Sequence, residues 1–176
     1  LTLMVKSDYD KFNQVTYPTL VLIWVEYGLL LSLTILGGMI EVWHYEKFKE
    51  LSQILGIILA LLGCLITVFS MLQFGSLQRI SDLDQSELIT SGIYQYSRNP
   101  QNVGSILFCF GISLFFQSWY SLGLTTGYLL FFLIYVPYEE EHLEAIFGEV
   151  YRDYKDNSPR FFPLPKIPTF NQLHEK

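Results

Sequence analysis

Two stretches of this 176-residue chain carry polar side chains at spacings that could do chemistry, and both abut long uncharged runs. The first is residues 87–104, ELITSGIYQYSRNPQNVG. Ser91-Gly92 and Asn99-Pro100 are turn signals, and Asn99 can cap a helix whose first residue is Pro100. Arg98 then stands beside a helix N-terminus, where a guanidinium and free amides suit a carboxylate or phosphate. A snorkelling arginine that only marks a membrane boundary explains the same residue. The second stretch, residues 137–154, opens with Glu139, Glu140 and Glu141. Three adjacent carboxylates make either an acidic solvated face or a site for a cationic ligand. Leu143, Ile146, Phe147, Val150, Tyr151 and Tyr154 follow at helical spacing, which predicts one amphipathic helix about four turns long.

The elements that must position these residues are apolar. Charged residues make up 16% of the chain and AVILMFWYC residues 51%, where a soluble domain carries about 25% charge. Residues 18–40, 51–78 and 99–138 hold one charged residue between them, Glu26. No soluble core needs 40 consecutive uncharged residues. The expected fold is all-α: an integral membrane bundle of four transmembrane helices, with a C-terminal cytoplasmic amphipathic helix. The spans fall at about 18–40, 51–74, 101–117 and 120–138, the last two a hairpin broken near Gln117–Ser121. The amphipathic helix continues the fourth span, with a kink at Pro137. Residues 1–176 read as a single domain.

Nine of the eleven Lys and Arg residues fall on one side of a four-span chain, against Lys47 and Lys49 on the other. Positive-inside counting puts both termini and the middle loop in the cytoplasm. The chain begins with Leu, so a preceding piece, even a fifth span, is a possibility; no secretory signal precedes Pro18 and no lipidation signal ends the chain. The net charge of -6 and the absence of a basic stripe argue against nucleic acid. Cys64 and Cys109 read as buried free thiols inside spans, and the three histidines are too scattered for a metal site. Glu26, inside a span, needs a partner or water. Gly37-Gly38 and the span glycines can permit close helix packing.

Taken together, the two polar stretches resemble the signatures of the isoprenylcysteine carboxyl methyltransferase family and the related phospholipid methyltransferases. The first signature, G-x-Y-x-x-x-R-H-P-x-Y-x-G, stands here as Gly92, Tyr94, Arg98, Asn99, Pro100, Asn102 and Gly104. The second, E-E-x-x-L followed by F-G-x-x-Y-x-x-Y, stands as Glu139-Glu140 and Leu143, then Phe147-Gly148, Tyr151 and Tyr154. Arg160-Phe161-Phe162-Pro163 fits the family's ending, so the match covers about residues 86–163. Two positions depart: Asn99 replaces the signature's His and Asn102 its second Tyr. Asn99 cannot titrate near neutral pH.

The resemblance implies S-adenosylmethionine as methyl donor at the cytoplasmic membrane face. It implies a lipophilic small-molecule or lipidated acceptor reached from the membrane lipid, with no metal; the activity is most like prenylcysteine carboxyl methylation, and a phospholipid amine or a small lipophilic thiol stays open as acceptor. Arg98 and Glu140 are the implied catalytic residues. Tyr94, Arg98, Asn99, Pro100, Gly104, Glu139, Glu140, Leu143 and Tyr151 are the implied cofactor-binding set. On this reading Arg98→Ala and Glu140→Ala abolish transfer in a folded protein. The competing readings are a sterol-type NADPH reductase, which resembles the R-x-P-x-x-x-G segment, and a non-catalytic membrane protein of the same fold. The oligomeric state is not legible.

Overall fold

The computed structural model describes residues 2–12, 14–40, 48–74 and 87–162. It is an all-α bundle: α1 Thr2–Phe12, α2 Tyr17–Met39, α3 Lys49–Phe74, α4 Pro100–Phe115, α5 Trp119–Phe147 and α6 Glu149–Asn157, with a 3₁₀ turn at Gly92–Gln95. By length and composition α2, α3 and α5 can each cross a membrane. The expected third span is α4, and its 16 residues reach about 24 Å, short of a hydrocarbon core of about 30 Å. Lys47, Arg79, Pro163, Lys166 and Lys176 lie outside the described residues.

Close helix packing follows from small residues at heptad spacing. Gly56 and Gly63 on α3 face Gly111 and Gly104 on α4, an antiparallel match. A Cβ at any of the four would strike the backbone of the facing helix. Ala60 and Thr67 complete the strip, against Gly111 and Gly104 respectively. Backbones this close gain dispersion contacts along their whole length, the main force available between helices in lipid. At the other end of the bundle Gly37 and Gly38 receive the rings of Tyr120 and Phe116, which seats α2 on the α4–α5 turn. That turn forms where expected, with Gln117 at φ 53° and the Ser118 hydroxyl accepting from the amide of Ser121 at 3.2 Å.

Two features of the helices differ from the sequence expectation. The amphipathic stripe is not on one helix. α5 runs unbroken through Pro137 to Phe147, and Gly148 (φ 56°, ψ −126°) then redirects the chain into α6. The break turns Val150 to the outside, 61% exposed, while Tyr151 and Tyr154 are buried. An L side chain rarely adopts that backbone, so the glycine of the F-G pair is the structural reason for the break. The second difference is α1, which the sequence reading left unassigned. Its Val5 and Tyr9, one turn apart, pack with Val15 against Leu20, Ile23 and Tyr135. Asp8 accepts from the Thr16 amide (3.0 Å) and hydroxyl (2.6 Å), tying α1 to the start of α2. The Thr16 hydroxyl bond holds the Asp8 carboxyl below its usual range.

Cys109 is buried as expected, whereas Cys64 faces outward from α3. Glu26 is exposed on α2 beside a groove lined by Leu30, Gly123 and Gly127, and makes no hydrogen bond to a described residue.

The packing predicts a contrast between glycines. Gly63→Leu forces α3 and α4 apart and is expected to lower the melting temperature of detergent-purified protein sharply, since overpacking costs about 1–3 kcal/mol or more. Gly123→Ala, where a Cβ meets nothing within 4 Å, is expected to leave it unchanged. Equal melting of the two variants would refute this packing.

Candidate functional site

The three consecutive carboxylates part company because successive helix residues point about 100° apart. Glu141 faces outward, Glu140 faces the bundle, and Glu139 lines a cavity. Glu140 is 3% exposed. Its Oε1 accepts from Arg98 Nε at 2.9 Å and Nη2 at 2.8 Å. Its Oε2 accepts from Arg160 Nε at 3.0 Å and Nη2 at 2.7 Å. Two guanidinium forks thus saturate one carboxylate. The Glu140 hydrogen bond also holds Arg160 above its usual range. Arg98 donates further to the carbonyls of Lys155, at 2.8 Å, and Ser158. Its own amide donates to the carbonyl of Pro159 at 2.9 Å.

This clamp joins three distant pieces of chain: the loop before α4, the end of α5 and the segment after α6. The phenols close it from the side. Tyr94, Tyr151 and Tyr154 form one buried cluster with Leu143 and Phe147 packed against it. Tyr154 donates to the carbonyl of Tyr94 at 2.8 Å, and Ser158 donates to that of Gln95 at 3.2 Å. Burial pushes all three phenols above their usual range, so they remain donors near neutral pH. Gly92 at φ 61° opens the 3₁₀ turn, and the side chain of Gln73 at the end of α3 accepts from the Ile93 amide at 3.1 Å.

Asn99 and Asn102 pair with each other. Asn102 Nδ2 donates to Asn99 Oδ1 at 3.3 Å, and Asn99 Nδ2 donates to the carbonyl of Arg160 at 3.2 Å. Pro100 opens α4 and is fully buried.

A cavity of about 130 Å³ lies beside the clamp, between α1, α2, α4 and α5. Its polar lining is Glu139, Gln101, Asn102 and Ser105; its aromatic lining is Tyr9, Trp24, Tyr27 and Tyr135. Tyr9 is held there by stacking on His142, ring centroids 3.6 Å apart. An apolar cleft of about 360 Å³ adjoins it and shares Trp24, Tyr27 and Ser105. The cleft runs along Leu30, Leu31, Val68, Phe108 and Cys109, and its exposed Leu31 and Val68 place its opening between α2 and α3.

Of the residues implied by the signatures, Arg98, Glu140, Tyr94, Leu143 and Tyr151 gather in the clamp and its phenol cluster, and Pro100 is buried at the start of α4. Asn99 bridges clamp and cavity, and Glu139 lines the cavity itself. Gly104 stands apart, against Gly63 and Thr67 in the α3–α4 strip. Among the described residues no group of His, Cys, Asp and Glu converges as a metal site. Sequence reasoning missed Tyr9, Tyr27, Tyr135 and Gln101 as lining residues and Arg160 as the second fork on Glu140. The one available signal was Val5 and Tyr9 at i and i+4; nothing in sequence aims Tyr27 at α4.

The family model described as phospholipid methyltransferase matches residues 51–150, more than half of the chain. The chain belongs to the phospholipid methyltransferase family. Curated relatives carry a related name. The "Probable protein-S-isoprenylcysteine O-methyltransferase" of Oryza sativa subsp. indica is 28% identical over 77% of this chain and 75% of its own length. The "Protein-S-isoprenylcysteine O-methyltransferase B" of Arabidopsis thaliana is 25% identical over 86% and 80%. The "Protein-S-isoprenylcysteine O-methyltransferase" of Xenopus laevis is 30% identical over 72% of this chain and 46% of its own length. No solved structure matches the chain. Family membership and three membrane-length apolar helices together make this an integral membrane methyltransferase.

The geometry changes what mutation of the clamp should do in this member of the family. Breaking a buried ion pair strands its partner and costs about 3–5 kcal/mol. Arg98→Ala and Glu140→Ala are therefore expected to lower the melting temperature strongly as well as activity. Arg160→Ala, at a side chain 40% exposed, is expected to lower it less. Thermal melting of the three purified variants checks the order; unchanged melting of Glu140→Ala would remove the clamp's structural role.

Proposed function

We propose that this protein transfers a methyl group from S-adenosylmethionine to a lipophilic acceptor at the cytoplasmic membrane face, the acceptor being most like a prenylated cysteine carboxylate. The observation that carries the reading is the adjacency of a polar, aromatic cavity and an apolar cleft sharing Trp24, Tyr27 and Ser105. One chamber suits a charged donor, the other a hydrocarbon chain arriving from lipid. The relatives' names support a prenylated cysteine as the acceptor. The side follows from the positive charges that share it with the signatures.

The cavity's donor set fits the cofactor's chemistry. Glu139 accepts from an ammonium or from ribose hydroxyls, and the Gln101 and Asn102 amides offer both donors and acceptors. The rings of Trp24 and Tyr135 suit adenine or a sulfonium, a cation–π contact worth about 0.5–2 kcal/mol. When bound, the cofactor supplies an electrophilic methyl on sulfur. The chain's contribution is alignment and exclusion of water, because a carboxylate acceptor is already ionised and needs no base. Asn99, unable to titrate, suits such an acceptor. In this reading Arg98 and Glu140 position the residues that bind and do not touch the reacting atoms.

An NADPH reductase is disfavoured by the same lining: among the described residues its one formal charge is the Glu139 carboxylate, a poor neighbour for phosphates. Titration of detergent-purified protein is expected to show binding of S-adenosylmethionine and none of NADPH, with labelled methyl passing to a farnesylated cysteine. Binding of NADPH alone would overturn the proposal. Glu139→Gln is expected to weaken S-adenosylmethionine about tenfold, as loss of a charge-assisted hydrogen bond should.

A further inference from the structure

One of the three residues shared by the two chambers belongs to neither signature and reaches the polar network. Tyr27 lies on α2 and lines both the polar cavity and the apolar cleft. Its ring is held by the edge of Tyr128, centroids 5.7 Å apart at 89°, and by Phe132, which is fully buried. Its hydroxyl reaches Asn102 Oδ1 at 3.5 Å. From Asn102 hydrogen bonds run on through Asn99 to the Arg160 carbonyl. Arg160 is one of the two forks on Glu140.

Position 102 is where the signature carries a tyrosine. A tyrosine side chain there would extend past the asparagine amide into the volume that Tyr27 already fills. Position 99, where the signature has a histidine, carries the amide that pairs with Asn102. The two departures are thus linked: a short side chain at 102 leaves room for a ring from α2, and the amide at 99 satisfies the buried amide at 102.

We propose that Tyr27 is the positioning residue of methyl transfer in this protein, its ring forming from α2 the wall between donor and acceptor chambers, in the place a tyrosine at 102 would otherwise occupy. The inference rests on the functional reading above. It predicts that the two rings are interchangeable and mutually exclusive. Asn102→Tyr restores the signature residue yet puts two rings into one space. Tyr27→Leu empties that space while keeping an apolar side chain on α2. Tyr27→Phe keeps the ring and loses only a long hydrogen bond.

The test is a double-variant cycle on detergent-purified protein, read by thermal melting and by steady-state transfer to a farnesylated cysteine. Asn102→Tyr should melt well below wild type, and Asn102→Tyr with Tyr27→Leu should melt above Asn102→Tyr alone. Tyr27→Leu should lower kcat about tenfold through lost alignment, while S-adenosylmethionine affinity stays within about threefold. Tyr27→Phe should retain most of kcat, and the double variant should recover it. A double variant that melts no higher than Asn102→Tyr, or a Tyr27→Leu protein with wild-type kcat, overturns the inference. If wild-type protein transfers no methyl, the functional reading falls by itself and the melting cycle still decides whether the rings exchange.

Discussion

A buried carboxylate gripped by two guanidiniums is the constraint around which this protein is built. Glu140 cannot be left ionised among apolar helices without partners, because taking a charge out of water is costly. Arg98 and Arg160 meet that cost with planar forks, each closing two N–H donors on one of the carboxylate's oxygens, a geometry lysine could not reproduce. The partners come from opposite ends of the signature region, so the chain from Arg98 through α4, α5 and α6 to Arg160 closes into a loop. The phenol cluster and the Lys155, Ser158 and Pro159 carbonyls seal that loop. With the loop closed, Glu139 one residue earlier is directed into the cavity.

The membrane part of the bundle works by a different rule. Lipid offers no hydrophobic gain from helix association, so α3 and α4 rely on backbone approach at Gly56, Gly63, Gly104 and Gly111. That tight pair leaves α2 more loosely placed, seated at one end by Gly37 and Gly38 and at the other by α1. The apolar cleft is the space this arrangement leaves between α2 and the α3–α4 pair. The cleft opens beside the exposed Leu31 and Val68, while Tyr9 and Val15 line the polar cavity. The clamp and the cleft are therefore separate physical devices joined at Tyr27, Asn102 and Asn99.

Much of this was legible in the chain. Uncharged runs determined an all-α membrane bundle, because a backbone in lipid must satisfy its own hydrogen bonds. The Gln117–Ser121 break and the positions of α2 and α3 follow from the same runs. Gly37-Gly38 and the span glycines pointed to close packing, and the signatures pointed to Arg98 and Glu140 as site residues. The helix break at Gly148 was less visible, since an apolar stripe that spans a glycine reads as continuous until the backbone turns at it. Helix α1 escaped because a short segment of mixed polarity becomes a helix only when Val5 and Tyr9 find Leu20 and Tyr135 to pack against.

Sequence alone determined the class of protein, the order of its helices and the family, since these depend on local hydrophobicity and on motifs read in line. Tertiary structure alone decided what each polar residue touches. Three adjacent glutamates look equivalent on paper, and only the helix rotation relative to its neighbours sends Glu139 to the cavity, Glu140 to the clamp and Glu141 outward. Arg160 lies 20 residues from Glu140, and Tyr27 lies 75 residues from Asn102. No local pattern encodes such pairs, because side-chain partners across helices are set by packing distance and direction, which exist only once the bundle has formed.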